Sequence, residues 1–164
     1  MIKLLIFDVD GTLTSGAITY DSNGVESKSF DVKDGMAIAS WTKSFNMNAA
    51  IITGRKSEVV KKRSAELGIQ HLHQGIHNKY EIIESILHDL GITWKNVACI
   101  GDDLNDYKML KNCKISFCPA DAVEDIKNIS NIVCKSNGGS GAAREMIEYI
   151  LKYNNMDDLK SLWV

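Results

Sequence analysis

The sequence contains a single proline, Pro119, and no tract rich in proline or serine. Nothing in it therefore resembles an extended linker, and 164 residues read as one domain, 1–164, able to bury its own core. Long apolar runs are missing too. The N-terminal MIKLLIFDVDG meets a charge at Asp8, too early for a signal-peptide core, and no later run would span a bilayer. The expectation is a cytoplasmic protein with no membrane partner. Charge of one sign is also lacking: the formal net charge is −2, so no nucleic-acid partner is indicated. Cys99, Cys113, Cys118 and Cys134 show no C-x-x-C spacing and read as reduced, mostly buried apolar residues. His71, His73 and His77 lack the second ligand cluster that zinc would need, and read as polar residues at a sheet edge or subunit contact.

What is present is alternation. Short apolar runs at 3–7, 49–53, 97–101, 115–118 and 131–134 predict strands, with 69–73 a weaker one. Helix-period segments at 35–45, 57–67, 80–90 and 142–153 separate them, the third stopping at Gly91. This order predicts an α/β, Rossmann-like parallel sheet with helices on both faces. One insert departs from it. Residues 16–34 alternate apolar and polar around Ser22-Asn23-Gly24, which predicts a β-hairpin flap beside the first strand.

In open α/β sheets ligands bind beyond the carboxyl ends of the strands. The predicted strands end in Asp8 and Asp10, in Thr53-Gly54-Arg55, and in Gly101-Asp102-Asp103 with Asp106 one turn on, while Lys79 begins a helix. Taken singly, each has a plain explanation: an Asp-Gly turn, a strand stop, a helix cap, a surface lysine. Together they bring carboxylates, a hydroxyl and an ammonium to one sheet edge. Crowded acids call for a divalent cation, and Mg²⁺ suits an all-oxygen set. Asp8 and Asp102 would bind it through side chains and Asp10 through its carbonyl. Asp8 would attack phosphorus as a covalent nucleophile. Asp10 would protonate the leaving oxygen and later deprotonate water, which requires raising it from a free Asp pKa of about 3.9. Thr53, Gly54 and Lys79 would hold the phosphoryl oxygens.

At these residues the chain resembles the haloacid dehalogenase superfamily of phosphotransferases: Asp8-Val-Asp10-Gly-Thr, Thr53, Lys79 and Gly101-Asp102-Asp103-x-x-Asp106 stand for its four motifs in order. The resemblance implies the roles just given, with Asp103 supporting Lys79 or the metal shell and Asp106 lying further back. FDVKDG, TGRKSEVVKKRSAELGI, GDDLNDYKML and GGSGAAREM are similar to the 3-deoxy-D-manno-octulosonate 8-phosphate phosphatase family, although Thr12 stands where that family would have Val. This implies a capless homotetramer that releases phosphate from an eight-carbon sugar acid in lipopolysaccharide precursor synthesis. The spacing agrees, since neither the segment before Thr53 nor that between Thr53 and Lys79 could hold a lid domain. Lys33, Arg55 and Arg144 are candidates for gripping the acidic sugar, and Gly138-Gly139-Ser140-Gly141 before a helix could offer bare N–H groups to an anion. Phosphatases for nine-carbon sialic-type sugar acids are the near alternative; Lys33-Asp34-Gly35 favours the eight-carbon sugar. From another class, a receiver-type phospho-accepting module also has an acidic pocket, a Thr and a Lys, but places its phosphorylated Asp on the third strand. The apolar tail MDDLKSLWV is expected to pack on a neighbouring subunit near the active site.

Overall fold

The computed structural model describes residues Met1–Val164. Apolar runs without a charged member form its central strands: β1 (Leu4–Phe7), β4 (Asn48–Thr53), β6 (Val97–Ile100) and β7 (Ile115–Cys118). With β5 (His71–Gln74) and β8 (Ile132–Val133) they make a six-stranded sheet in the order β5-β4-β1-β6-β7-β8. Every pairing in it is parallel. The first strand of the chain is thus central, and the sheet grows from it first to one side and then to the other. A receiver-type module follows the flavodoxin-like order, in which the first strand lies between the second and third. Here β1 lies between β4 and β6, the second and fourth strands of this sheet, so the topology excludes that alternative.

Residues alternate across the sheet, and each set meets its own layer of helices. Leu5, Phe7, Ile51 and Ile100 pack with Ile38, Val60, Met146 and Ile150. These come from α1 (Val32–Ala39), α2 (Glu58–Glu66) and α6 (Ala142–Tyr153). Leu4, Ile6, Ile52 and Cys99 pack with Ile83, Leu87, Leu110 and Ile126. These come from α3 (Lys79–Leu90), α4 (Tyr107–Asn112) and α5 (Glu124–Ile129).

Several elements differ from the sequence expectation. The first helix begins at Val32, because Asp31 accepts from the N–H groups of Lys33 and Asp34 at 2.7 and 3.0 Å and so caps it. It continues as a wide π-helical turn over Ser40–Ser44, where Phe45 N–H reaches back to Ser40 O. The short helices α4 and α5 carry too few residues to show a period. The hairpin is present as β2 (Thr19–Tyr20) and β3 (Glu26–Ser27), with Tyr20 opposite Glu26. Its turn is longer than an Asn-Gly pair alone requires, since Asp21 Oδ1 accepts from both Asn23 N and Val25 N.

Candidate active site

The sheet order puts the ends of β4, β1 and β6 side by side, and Phe7 is paired with both Ile51 and Ile100. Asp8 follows β1 directly, Thr53 closes β4, and Gly101-Asp102 follows β6. Asp8 and Asp10 line one open hollow of about 440 Å³ with Thr53, Gly54, Arg55, Asp102, Asp103, Leu104 and Asn105. The sequence-predicted residues from three separate strands therefore share one pocket.

Lys79 enters from the first turn of α3, an unfavourable end for a cation because the helix dipole is positive there. Its ammonium is buried and compensated by two carboxylates, lying 2.6 Å from Asp8 Oδ1 and 2.6 Å from Asp106 Oδ1. Burial works against the Lys79 charge, but Asp8 and Asp106 together outweigh it and hold its pKa above the usual lysine value. Asp106 uses its second oxygen to accept from Asp102 N at 3.0 Å. Asp103 instead caps a 3₁₀ turn through Leu104 N and faces solvent. The support expected from Asp103 thus comes from Asp106, which does not lie further back. In a tight 3₁₀ turn over Leu104–Asp106, the residue three places beyond Asp103 is brought round beneath it.

Asp102 Oδ1 accepts from Thr12 Oγ1 at 3.1 Å. Its other oxygen lies against Gly11, whose φ is +90° and where a Cβ would stand 2.0 Å from Asp102 Oδ2. Only glycine fits there. Burial, with Asp106 adding to it, raises the Asp8 pKa to about 7 despite Lys79. The same two influences raise Asp102 to about 6.

Oxygen atoms of Asp8, Asp102 and Asp106 lie within 4.8 Å of one another. Asp8 Oδ2 and Asp102 Oδ2 have no protein hydrogen-bond partner and are not sealed from solvent, while Asp106 is fully engaged. Three carboxylates around one ammonium leave two negative charges to neutralise. Hard oxygen donors carrying that excess fit a divalent cation such as Mg²⁺.

The structure does not bring every candidate to this pocket. Lys33 is exposed in the first turn of α1 and lines no part of it. Arg144 bonds Glu148 at 2.8 Å and lines a separate hollow of about 870 Å³ between α1, α6 and the C-terminal segment. The N-terminus of α6 is not open to an outside anion along that edge, because Asp34 accepts from Gly141 N at 3.2 Å and from Arg144 N at 2.8 Å. The glycines before it are a packing device. A Cβ on Gly138 would lie 1.9 Å from Gly11 O, and one on Gly139 would lie 2.5 Å from the carbonyl carbon of Thr14. Three contributors escaped the sequence reading. Lys28 bonds Asp10, and Glu26 and Tyr20 hold Arg55 over the pocket mouth. Their alternation along the hairpin was visible, but not that the hairpin folds over the strand ends.

Fold and site together define a haloacid dehalogenase-like hydrolase, and the description of that family matches residues 72–146. A 3-deoxy-D-manno-octulosonate 8-phosphate phosphatase from Salmonella typhi is 43% identical over 150 residues, 92% of this chain and 79% of its own length. The chain belongs to the 3-deoxy-D-manno-octulosonate 8-phosphate phosphatase family. Among solved structures, the Moraxella catarrhalis enzyme, in complex with a magnesium ion, a phosphate ion and KDO, is 38% identical with a TM-score of 0.94, covering 99% of this chain and 94% of that one. The cobalt-bound Haemophilus influenzae enzyme is 38% identical with a TM-score of 0.88, covering 94% and 90%.

Proposed function

We propose that this protein is a Mg²⁺-dependent phosphomonoesterase that hydrolyses 3-deoxy-D-manno-octulosonate 8-phosphate to the free sugar acid and inorganic phosphate, as a step in lipopolysaccharide precursor synthesis in the cytoplasm. One observation carries the chemistry: Asp8 stands at the pocket floor with one oxygen tied to Lys79 and the other free beside Asp102. The free oxygen attacks phosphorus, and the sugar oxygen leaves with a proton from Asp10. Asp10 then takes a proton from water, whose oxygen displaces Asp8 and releases phosphate. Thr53 and the Gly54 amide hold phosphoryl oxygens while Lys79 balances their charge. A magnesium ion held by the Asp8 and Asp102 side chains and the Asp10 carbonyl supplies charge neutralisation as phosphorus is transferred. Arg55, at the mouth, meets the sugar acid.

The working unit is a homotetramer. The chain has no lid over its pocket, and the hairpin exposes Ile18, Tyr20 and Val25. Any contact of Lys33 or Arg144 with substrate belongs across a subunit boundary. The test is phosphate release from a panel of eight- and nine-carbon sugar-acid phosphates, with Mg²⁺ and with a chelator. The eight-carbon 8-phosphate is expected to give the highest kcat/KM, and chelation to abolish it. Preference for a nine-carbon 9-phosphate would overturn the substrate, and no metal-dependent release from any of them would overturn the reading.

A further inference from the structure

The hairpin delivers a buried cation to Asp10, at the edge of the pocket. Lys28 follows β3, and its side chain is only 1% exposed. Burying an ammonium on a short flap is unfavourable unless the groups around it are anionic, and here they are Asp10 and Glu26. The Lys28 ammonium bonds Asp10 Oδ1 and lies 3.3 Å from Glu26 Oε1. Glu26 also pairs with Arg55, and Tyr20, opposite Glu26 on the hairpin, places its hydroxyl 3.1 Å from that guanidinium. Asp10 Oδ2 has no protein hydrogen-bond partner, and Asp10 lines the pocket.

We infer that Lys28 is a positioning residue for Asp10: by holding Oδ1 on the hairpin side it leaves Oδ2 as the oxygen that exchanges protons in the pocket. The inference rests on the function proposed above and adds to it a requirement for the flap. In the first step the Asp8–phosphorus bond forms, the phosphorus–sugar oxygen bond breaks, and the proton on Asp10 goes to the sugar oxygen. In the second, Asp10 takes a proton from water, the water oxygen bonds phosphorus, and the Asp8–phosphorus bond breaks. Both proton transfers depend on where Oδ2 points. Without the tether, Asp10 is a half-buried carboxylate beside a strongly charged cluster, free to turn away from the leaving group.

The two steps are separable with p-nitrophenyl phosphate, whose phenolate leaves without needing a proton. In Mg²⁺-loaded Lys28→Met, phosphorylation of Asp8 should remain fast and hydrolysis of the phospho-enzyme should be slow. Stopped-flow absorbance should then show a burst of one nitrophenolate per subunit, followed by turnover reduced about tenfold to a hundredfold, up to the lower end of the roughly 10²–10⁴-fold that a positioned acid or base supplies, because Asp10 itself is retained. On the sugar phosphate, where both steps need Asp10, the loss should be larger still. Lys28→Arg, which keeps the charge, should recover most of the rate. Gel filtration and circular dichroism establish that folding and assembly are intact, and Lys28→Gln replaces the Met variant should that one not fold. Asp10→Asn is the reference. A burst in Asp10→Asn with none in Lys28→Met, or wild-type turnover in the Met variant, overturns the role of Lys28. No burst in either overturns the assignment of Asp10 and the inference with it.

Discussion

Replacing Asp34 tests whether the anion at the start of α6 is supplied by the chain itself. Asp34 is buried on α1, and its two oxygens accept the N–H groups of Gly141 and Arg144, donors that α6 cannot satisfy internally. Gly141, the residue at the cap position, has no side chain to do so. Losing a capping side chain costs about 0.5–2 kcal/mol, and the upper end applies here because two part-buried donors lose their acceptor at once. Burial raises the Asp34 pKa even though both backbone bonds pull it down, so part of the loss is returned when the charge is removed. Asp34→Ala should therefore destabilise by about 2 kcal/mol, a noticeable share of a total near 5–15 kcal/mol. Asp34→Asn keeps one acceptor and should cost about half as much. Urea unfolding followed by circular dichroism reads this as a midpoint lowered by about 1 M for the alanine variant, given slopes of about 1–3 kcal/mol per molar. The pH dependence has a definite sign. A carboxyl whose folded pKa is raised contributes stability that is fully present below its unfolded pKa and is lost as pH rises through the folded value. The asparagine variant lacks this contribution, so its deficit against wild type should widen as the pH is lowered from neutrality toward that window. Equal midpoints for wild type and alanine variant would refute the capping argument, and a deficit that narrows on acidification would refute the sign.

Gly11→Ala places a methyl 2.0 Å from Asp102 Oδ2 at a φ of +90°. The backbone alone should cost about 1–2 kcal/mol, and a Mg²⁺ titration of turnover should show weakened apparent metal affinity; unchanged affinity would show that Asp102 is not held by this contact. Asp8→Asn should abolish turnover and leave the circular dichroism spectrum intact, and measurable steady-state hydrolysis would remove Asp8 as nucleophile. Saturating Mg²⁺ should raise the unfolding free energy by about 2.7 kcal/mol at a hundred times its dissociation constant, and an unmoved melting temperature would count against the buried acidic cluster as its site. Removing 157–164 should alter both turnover and assembly, because Trp163 and Val164 are exposed apolar residues at the end of that segment; unchanged kinetics and mass would refute a role across subunits.

The residues that were legible in the sequence share a geometric cause. Asp8, Thr53 and Asp102 each follow an apolar run, and parallel pairing of β4, β1 and β6 brings the ends of such runs together whatever happens between them. The position of a residue along a strand is therefore enough to place it. Residues beyond the strand ends are governed by other rules. Asp103 and Asp106 both lie in an acidic stretch, and only the phase of a three-residue turn decides that Asp106 reaches Lys79. The start of α6 read as an anion site because bare N–H groups follow glycines there, with the Arg144 side chain beside them for a carboxylate; the side chain bonds Glu148 instead. The backbone N–H groups of Gly141 and Arg144 are taken by Asp34, more than 100 residues earlier. Lys28 read as one polar residue in an alternating strand, and its significance appears only when β2 and β3 lie beside the pocket, with Lys28 on Asp10 and Glu26 on Arg55. A parallel sheet thus writes the nucleophile and metal ligands into the order of the chain. The groups that orient them come from a flap, a short turn and a distant helix, whose placement depends on tertiary packing that no local pattern encodes.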